Sequence, residues 1–535
     1  MTTPDAQRSL HWFPQSMADI VLTTFNAKYI HAAFGLRYLM ANLGPLRERA
    51  EIVEFEIQQR PLEIVEALLA RNPKVIGLGV YIWNATLSEE VVALLKRLRP
   101  DVTIILGGPE VSHEVEEQRV TALADFVVTG EADLKFAELC GQILAGAPPA
   151  EKVITAELPE TANLALPYEL YTDQDVAHRV IYVEASRGCP FRCEFCLSSL
   201  DIPVRQFPLP ALLPALERLL ARGLTQFKFV DRTFNLNLTV SKAILQFFLA
   251  RYRPGLFVHF EMVPDRLPDE LRQIIARFPA GALQFEVGIQ TFNAEVTALI
   301  QRRQDYARLA DNLTYLRQQT GVHIHADLII GLPGESVESF GAGFDRLVAL
   351  RPHEIQVGIL KRLRGTPIAR HADAWQMIYN PEPPYDILQN KLIDFPTMQR
   401  LRRFARFWDL IANSGNFIES TPLLWQTGDS AFARFLELSD WLHARVGRQH
   451  SIALLTLMEG FFVYLTERRQ LPAALVAASL WHDYQRGGRR DQPGFLQAHL
   501  PEAARPKTEA RSRSGLKRQA RHSAPASDTA AALPV

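Results

Sequence analysis

Strand-like runs of β-branched and apolar residues alternate with helical stretches along residues 18–146 of this 535-residue chain. Strands that alternate with helices of about 10–15 residues are typical of parallel sheets with helices on both faces. We therefore predict an α/β fold, in which this first part is a Rossmann-like domain with its ligand site at the carboxyl ends of the strands. The predicted strands are residues 19–23, 51–55, 75–80, 102–106 and 125–129, and the predicted helices are 30–41, 62–70, 87–98 and 136–144.

A second alternation of strand-like and helical stretches occupies residues 181–365. It predicts a (β/α)6 partial TIM barrel, and a second flat doubly wound sheet is the alternative. Residues 147–180, between the two alternations, contain four prolines that break any helix, so they are predicted to be a linker. The predicted strands of the second domain are residues 181–185, 226–230, 256–261, 283–288, 323–329 and 354–359.

Helical apolar spacing continues without strand-like runs in residues 366–500, which predicts an all-helical carboxyl-terminal domain. Its predicted helices are residues 385–412, 430–444, 451–466 and 471–484. The segment 501–535 has no aromatic residue and carries seven Lys and Arg residues. Because such a segment buries too little apolar surface to offset its ordering entropy, it is predicted to be a disordered basic tail. Contact of this tail with RNA or another polyanion is the alternative to a solvated tail.

The composition excludes several classes of protein. Hydrophobic residues make up 47% and charged residues 22% of the chain, which excludes wholesale disorder and a collagen-like fibre. With 58 basic and 59 acidic residues, the chain has no overall charge that would attract nucleic acid or an anionic membrane. Neither is therefore an expected partner. No uncharged apolar run is long enough to span a membrane, and residues 1–18 lack a secretory signal, so the expected location is cytoplasmic.

The four cysteines are too few for a disulfide framework, but three of them lie close together. Cys189, Cys193 and Cys196 fall within eight residues directly after a predicted strand, whereas Cys140 stands alone. Structural zinc usually takes four closed ligands, and only Cys140 and the histidines remain to complete such a set. Three thiolates suit a 4Fe–4S cluster with one iron left open. Zinc and inert thiols are the alternatives.

The spacing Cys189-x-x-x-Cys193-x-x-Cys196 resembles the signature of the radical S-adenosylmethionine (radical SAM) superfamily. That resemblance implies a 4Fe–4S cluster whose open iron chelates the amino and carboxylate groups of SAM. Reduction then cleaves SAM to a 5′-deoxyadenosyl radical, which abstracts hydrogen from a substrate. Phe195 stands at the family position that packs near the adenine.

The ends of three later barrel strands also resemble radical SAM motifs. The fourth and fifth strands end in Gly- and polar-rich segments similar to those that hold the ribose and adenine of SAM. The second strand ends in Asp-Arg-Thr-Phe, where many relatives have an element that holds the methionine amine; here Arg232 is a departure, and a surface Asp–Arg pair is the alternative. The residues predicted to bind SAM are Phe195, Asp231, Glu286, Gly288, Gln290, Asp327 and Gly331.

The first domain resembles the cobalamin-binding domain that precedes many radical SAM barrels. A flavodoxin-like sheet that binds a flavin or no ligand is the alternative. The motif that supplies a histidine ligand to cobalt is absent, so no protein ligand to cobalt is assigned and His31 is predicted to be structural. The residues predicted to bind cobalamin lie at the strand ends and are Thr23, Asn26, Tyr81, Trp83, Asn84, Gly107, Gly108, Pro109, Gly130 and Glu131.

Taken together, these resemblances predict an enzyme with three cofactors: a 4Fe–4S cluster, SAM and cobalamin. They imply methyl transfer to an unactivated carbon of an unknown organic substrate, with flavodoxin or ferredoxin as electron donor. Three alternatives remain open: cobalamin-assisted cyclisation or rearrangement, a cobalamin-independent radical SAM enzyme acting on RNA or peptide, and a non-enzymatic iron–sulfur redox sensor. The role of the helical carboxyl-terminal region is not predicted.

Overall fold

The computed structural model describes residues 17–201, 203–425, 428–489, 491–500 and 518–523. These residues form two compact units. The first contains the described residues up to Ile181 together with Pro214–Leu224, and the second contains Tyr182–Leu213 and the described residues from Thr225 onward.

The first unit contains a six-stranded sheet of order β2-β1-β3-β4-β5-β6, in which all paired strands run parallel. Its strands are β1 (Ile20–Asn26), β2 (Ala50–Glu56), β3 (Val75–Gly79), β4 (Thr103–Gly107), β5 (Phe126–Thr129) and β6 (Val153–Thr155). Its helices are α1 (Phe34–Ala41), α2 (Pro61–Leu69), α3 (Ala85–Leu98), α4 (Arg119–Leu123), α5 (Lys135–Leu144) and α6 (Asp173–His178). Two buried apolar clusters, one containing Val21 and Ile104 and the other Leu22 and Ile105, form the core. The predicted Rossmann-like fold is confirmed.

Three details of the first unit differ from the sequence prediction, and the first is helix α6 (Asp173–His178), which lies within the predicted linker 147–180. Strand β6 lies in the predicted linker 147–180 and pairs with β5. It was not predicted, because a strand of only three residues is too short to show an alternation of apolar and polar residues. Helix α1 begins at Phe34 rather than at residue 30. The carbonyl of Ile30 instead accepts a hydrogen bond from the Val180 N–H. This bond keeps the residues just before Phe34 out of the helix.

The second unit is built on a sheet of order β14-β13-β12-β11-β10-β7, and the pairs from β10 to β14 run parallel. The predicted partial barrel is confirmed. Its strands are β7 (Ile181–Val183), β10 (Gln226–Phe229), β11 (Phe257–Met262), β12 (Leu283–Gln290), β13 (His323–Ile330) and β14 (Glu354–Ile359), with β8 (Ser186–Arg187) and β9 (Arg205–Gln206) as a separate short pair. The helices along this part of the chain are α7 (Leu209–Ala221), α8 (Leu238–Ala250), α9 (Asp269–Ile275), α10 (Ala294–Leu299), α11 (Tyr306–Gln319) and α12 (Val337–Ala349).

The carboxyl-terminal region is helical after a short hairpin, β15 (Ile378–Tyr379) and β16 (Ile387–Gln389). Its helices are α13 (Phe395–Leu410), α14 (Ala431–Val446), α15 (Leu454–Val463), α16 (Ala473–Arg486), α17 (Gly494–Gln497) and α18 (Arg518–Ser523). The hairpin and the start of α13 correct the prediction of a helix from residue 385. Asp394 caps α13 by accepting from the Thr397 N–H, and Pro396 occupies its first turn, so the helix starts there. No helix of the described residues is long and apolar enough to cross a membrane.

The predicted disordered tail 501–535 needs a correction for the six residues that are described. Residues 518–523 form α18, which packs against the barrel, whereas the remainder of the predicted tail lies outside the described residues. Arg518 lies 2.7 Å from Glu354 and 2.8 Å from Asp409, and His522 Nε2 lies 3.0 Å from the Asn413 carbonyl. These ionic contacts offset the low apolar content on which the disorder prediction rested.

Asp483 in α16 gives the stability of this region a predictable pH dependence. It is fully buried, and burial raises its pKa to about 7, although the N–H groups of Glu419 and Ser420 donate to it. The folded state therefore binds more protons than the unfolded state. The contribution of Asp483 to the free energy of unfolding then falls as the pH rises from about 4 to about 7. We expect wild type to lose more stability than Asp483→Asn between about pH 5 and about pH 8, as measured by urea unfolding.

The matched control for this comparison is Asp373→Asn, since Asp373 is exposed. It should keep the wild-type pH profile. Parallel profiles of wild type and Asp483→Asn would show that the buried carboxyl does not titrate as described.

Candidate cluster and cofactor sites

The loop that carries the three cysteines follows β7 and is fixed by backbone hydrogen bonds. The Cys189 N–H donates to the Asp201 carbonyl at 2.9 Å, and the Glu194 N–H donates to the Ile300 carbonyl at 3.1 Å. Gly188 enters the loop with φ of +86°, where a Cβ would lie 2.7 Å from the Pro203 carbonyl oxygen. Only glycine fits this close approach.

Glu194, within the cysteine loop, is a buried anchor. Its carboxylate binds His371 Nε2 at 2.7 Å and also pairs with Arg370, while its carbonyl accepts from the Ile368 N–H. A residue between two of the cysteines is thereby tied to the segment that follows β14. These contacts hold the loop in one position.

Asp231 has a different place from the one predicted for it as a SAM contact. Its buried carboxylate accepts from the Ala185 N–H at 2.9 Å and from the Ser186 hydroxyl at 2.5 Å. Burial raises its pKa to about 6 in spite of these bonds. Asp231 therefore holds the start of the cysteine loop, and the neighbouring Arg232 lines the cavity instead.

Asp231→Ala should weaken both the fold and the retention of iron. The change leaves the buried Ala185 N–H and the Ser186 hydroxyl without their acceptor, and each such loss destabilises a protein by about 1–3 kcal/mol. We expect a lower urea midpoint and less bound iron after reconstitution. The exposed control Asp311→Ala should leave iron content at the wild-type level; equal iron in all three proteins would contradict the anchoring role.

One cavity of about 240 Å³ brings the cysteines together with most of the predicted SAM residues. Cys189 and Cys193 are buried, and Cys196 is half-buried. The predicted residues in its lining are Cys189, Cys193, Phe195, Cys196, Glu286, Gly288, Gln290 and Asp327. The residues in the lining that sequence reasoning missed include Arg232, Glu261, Asp265, Arg302, Arg303 and Gln304.

The cysteine wall of this cavity suits an anionic cluster. The Arg302 guanidinium lies 3.4 Å from Cys193 Sγ and also donates to the Gly288 carbonyl. Burial raises the pKa of Cys193, whereas the charge and hydrogen bond of Arg302 favour its thiolate. The described residues contain no group of three or more His, Cys, Asp or Glu side chains that could hold a single metal ion. In a cubane each thiolate binds a different iron, so three thiols that share one cavity fit a cluster.

The part of the lining formed by β12 and β13 has two buried polar atoms without a hydrogen-bond partner among the described residues. Strand β12 bulges between Gly288 and Gln290, and Gln290 adopts φ of +74°, a strained conformation of the kind that clusters at functional sites. Gln290 Oε1 and Asp327 Oδ1 are buried and have no hydrogen-bond partner among the described residues. A Cβ at position 288 would lie 2.6 Å from the Gln290 amide nitrogen. Because Gly288 has no side chain, this space stays open. A polar ligand such as SAM fits this wall.

Glu286 and Asp327, which both line the cavity, have pKa values shifted in opposite directions. Burial opposes ionisation of Glu286, but the hydrogen bond with His259 and the charge of Lys228 outweigh it and lower its pKa to about 2. Burial, followed by the negative charges of Glu286 and Glu261, raises the pKa of Asp327 well above its usual value. The site therefore holds Glu286 as a carboxylate and favours a proton on Asp327.

Gly331, also predicted to contact SAM, lies outside this cavity lining. Its φ is +93°, and an added Cβ would lie 2.7 Å from Ile387 Cγ2 and 3.3 Å from Met398 Cε. The absence of a side chain at Gly331 therefore allows β16 and α13 to pack closely. Its surroundings support a packing role, and its predicted contact with SAM stays a prediction.

In the first unit, the predicted cobalamin residues lie at or just after the carboxyl ends of the strands, except Thr23, which lies in the middle of β1. The rings of Tyr81 and Trp83 stack in parallel, with centroids 4.6 Å apart, and the Trp83 ring is 49% exposed. Gly108 has φ of +107°, and an added Cβ would lie 2.5 Å from the Val80 carbonyl oxygen, so the ends of β3 and β4 meet at this glycine. Gly107, Pro109, Gly130 and Glu131 are half-buried or exposed on the same edge.

Several of the predicted cobalamin residues are engaged within the protein, among them Trp83, whose Nε1 donates to the Phe25 carbonyl at 3.2 Å. Thr23 donates to the Val53 carbonyl, and Asn26 donates to Glu54. Asn84 accepts from the Tyr81 N–H at 2.8 Å and donates to the Phe25 carbonyl at 3.2 Å. These hydrogen bonds therefore fix this edge of the sheet, at which Trp83, Pro109 and Gly130 are exposed and Tyr81, Gly107 and Gly108 are half-buried.

Two family models match the regions that hold these sites. Residues 20–140 match the B12 binding domain, and residues 183–347 match the Radical SAM superfamily. The chain therefore carries a B12-binding domain followed by a Radical SAM domain. Residues 373–530 match a third family, described as a protein of unknown function (DUF4080).

Curated relatives are distant. The 2-(S-pantetheinyl)-carbapenam-3-carboxylate methyltransferase of Streptantibioticus cattleyicolor is 24% identical over 320 residues, which cover 53% of this chain and 46% of that protein. The cobalamin-dependent radical SAM methyltransferase TokK of Streptomyces tokunonensis is 23% identical over 484 residues, 80% of this chain and 66% of that protein. The matched region thus spans about half to two thirds of the length of these relatives.

Solved structures share the fold. The radical S-adenosylmethionine methyltransferase TsrM from Kitasatospora setae, solved with cobalamin and a 4Fe–4S cluster, gives a TM-score of 0.55 at 17% identity and covers 71% of this chain and 79% of its own. The cobalamin-dependent S-adenosylmethionine radical enzyme OxsB, solved with aqua-cobalamin and S-adenosylmethionine, gives a TM-score of 0.59 at 12% identity. The match covers 88% of this chain and 79% of OxsB. The likeness confirms the predicted combination of a Rossmann-like sheet, a partial barrel and a helical carboxyl-terminal region.

Proposed function

We propose that this chain is a cobalamin-dependent radical SAM enzyme that transfers a methyl group to an unactivated carbon of a small organic molecule. One observation carries the proposal. A single cavity is lined by three thiols and by Gln290 and Asp327, and the buried Gln290 Oε1 and Asp327 Oδ1 make no hydrogen bond to the described residues. The thiols suit a cluster, and the two oxygens suit a polar ligand bound beside it.

When bound, the cluster would supply the electron that splits SAM, and cobalamin would carry the methyl group. Cys189, Cys193 and Cys196 would hold the cluster, and Arg302 would offset its negative charge. Gly288 would leave room for the nucleoside of SAM, while Gln290 and Asp327 would bind its polar groups. Asp231 and Glu194 would keep the cysteine loop in place without touching SAM.

In the first unit, the stacked Tyr81 and Trp83 would offer a flat apolar surface to the corrin ring of cobalamin. Gly107, Gly108 and Gly130 would let the backbone approach the ring, because no side chain intervenes. The match to the B12 binding domain supports this assignment, and methyltransferases among the relatives favour methyl transfer. A flavodoxin or ferredoxin would deliver the electron.

The test is a product assay on anaerobically reconstituted protein with SAM, a low-potential reductant and cobalamin. A radical methyltransferase with its substrate should form both 5′-deoxyadenosine and S-adenosylhomocysteine, because one SAM is cleaved and another restores the methyl group on cobalamin. Cyclisation or rearrangement would give 5′-deoxyadenosine alone. An intact cluster with neither product would support an iron–sulfur sensor and overturn the proposal.

A further inference from the structure

A second cavity of about 220 Å³ lies in the second unit, near the amino ends of β13 and β14. We call it the donor cavity. Its lining includes the polar residues Arg317, Arg351, His353, Trp408 and Thr421. The lining comes from the barrel, from the region matched by the family of unknown function and from α18. It shares no residue with the cavity of the cysteines.

His353 shows a conflict between two donors in this cavity. The Ile324 N–H donates to His353 Nδ1 at 3.0 Å, so the neutral ring carries its proton on Nε2. Nε2 lies 2.7 Å from an Arg317 guanidinium nitrogen, which has only hydrogens to offer. Two N–H groups therefore face each other without an acceptor between them. An oxygen atom placed beside them could accept from both.

Further polar atoms of the lining lack partners. Arg317 Nε, Trp408 Nε1 and Thr421 Oγ1 are buried and make no hydrogen bond to the described residues. Trp408 and Thr421 are only 4% and 5% exposed, so water does not easily replace the missing partner. A buried unpaired donor is costly, and native proteins usually satisfy such groups with protein, water or ligand.

The charges of the lining have one sign. Arg317 and Arg351 face the cavity, and no Asp or Glu stands among the described residues that line it. Burial and the positive charge of Arg351 both lower the pKa of Arg317. The nearby carboxylate of Glu354 is already engaged by His323 at 3.1 Å and by Arg518 at 2.7 Å.

We propose that the donor cavity binds an oxyanion, the carboxylate or phosphate group of a small ligand, on Arg317, Arg351, His353 Nε2 and Trp408 Nε1. Every group in this set donates and none accepts, which is the chemistry that recognises an oxyanion. At about 220 Å³ the cavity is smaller than the roughly 300–1,000 Å³ of sites for drug-sized molecules, so the ligand is compact. The proposal does not depend on the cluster or on SAM.

The test is isothermal titration calorimetry of the full chain with inorganic phosphate and, in a separate arm, with acetate, both at constant ionic strength. We expect saturable binding of at least one of the two anions, and the stronger arm identifies the kind of oxyanion. Arg317→Gln should weaken binding at least about tenfold, because a hydrogen bond to a charged group is lost. Arg308→Gln is the matched control, since it removes the same charge from an exposed position on the same helix.

Arg351→Gln provides a second variant, because Arg351 is exposed and its side chain makes no described hydrogen bond or ion pair. It should also weaken binding, with the thermal midpoint of the free protein unchanged. Saturable binding that both variants lose and Arg308→Gln keeps would support the site. Absence of saturable binding in both arms, or binding that neither variant weakens, would overturn the proposal.

Discussion

Replacing Cys189, Cys193 and Cys196 together by alanine is expected to remove all bound iron and to reduce 5′-deoxyadenosine formation to background. The three thiols line one cavity, and a cluster deprived of its thiolates has no other described ligand set there. The readouts are iron and sulfide per chain after anaerobic reconstitution and chromatography of the products of SAM.

The same variant should keep a corrin spectrum when loaded with cobalamin, because the predicted cobalamin residues belong to the other unit. The matched control is Cys140→Ala. Cys140 is buried in the first unit, where burial raises its pKa to about 12, so it is an inert thiol. Loss of iron in the control would make Cys140 a ligand, and loss of the corrin spectrum in the triple variant would show that the sites are misassigned.

Gly288→Val is expected to weaken SAM binding while leaving the cluster in place. Already the first added carbon would lie 2.6 Å from the Gln290 amide nitrogen and 3.5 Å from an Arg302 guanidinium nitrogen. The branched side chain would displace both groups into the cavity. Overpacking of this kind costs about 1–3 kcal/mol, so SAM affinity should fall by about tenfold to a hundredfold. Equilibrium binding of SAM to the reconstituted protein measures this loss.

Gly358→Val is the matched control, because it adds the same side chain to β14, another strand of the same sheet. An added Cβ at Gly358 would come no closer than 3.5 Å to another atom, the Leu328 carbonyl oxygen. This variant should bind SAM as wild type does. If Gly288→Val keeps normal SAM affinity and normal iron content, the wall formed by β12 is not the nucleoside site.

Local sequence patterns were sufficient to predict which strand ends and loops form the site. The cysteine loop, Gly288, Gln290 and Asp327 could be predicted because each belongs to a short motif at a strand end, and parallel strands bring such ends to one edge. The six barrel strands were predictable for the same reason, since each buried run is bounded by turn residues. These features depend on neighbours within a few residues.

Contacts between distant parts of the chain could not be read in this way. Arg302 reaches Cys193 across 109 residues, and nothing in the doublet Arg302-Arg303 indicates that partner. Asp231 and Gly331 stand in family-like motifs, but the first holds Ala185 and Ser186 and the second packs against Ile387. Helix α18 escaped prediction because buried Glu354, far away in the sequence, provides its ionic partner.

The central claim is that three cysteines hold a 4Fe–4S cluster with one iron open to SAM. It is tested most directly by the electron paramagnetic resonance spectrum of the reduced, reconstituted protein before and after addition of SAM. We expect a 4Fe–4S signal that shifts when SAM is added, both in wild type and in Cys140→Ala. Bound zinc in place of iron, or a cluster signal that SAM leaves unchanged, would contradict it.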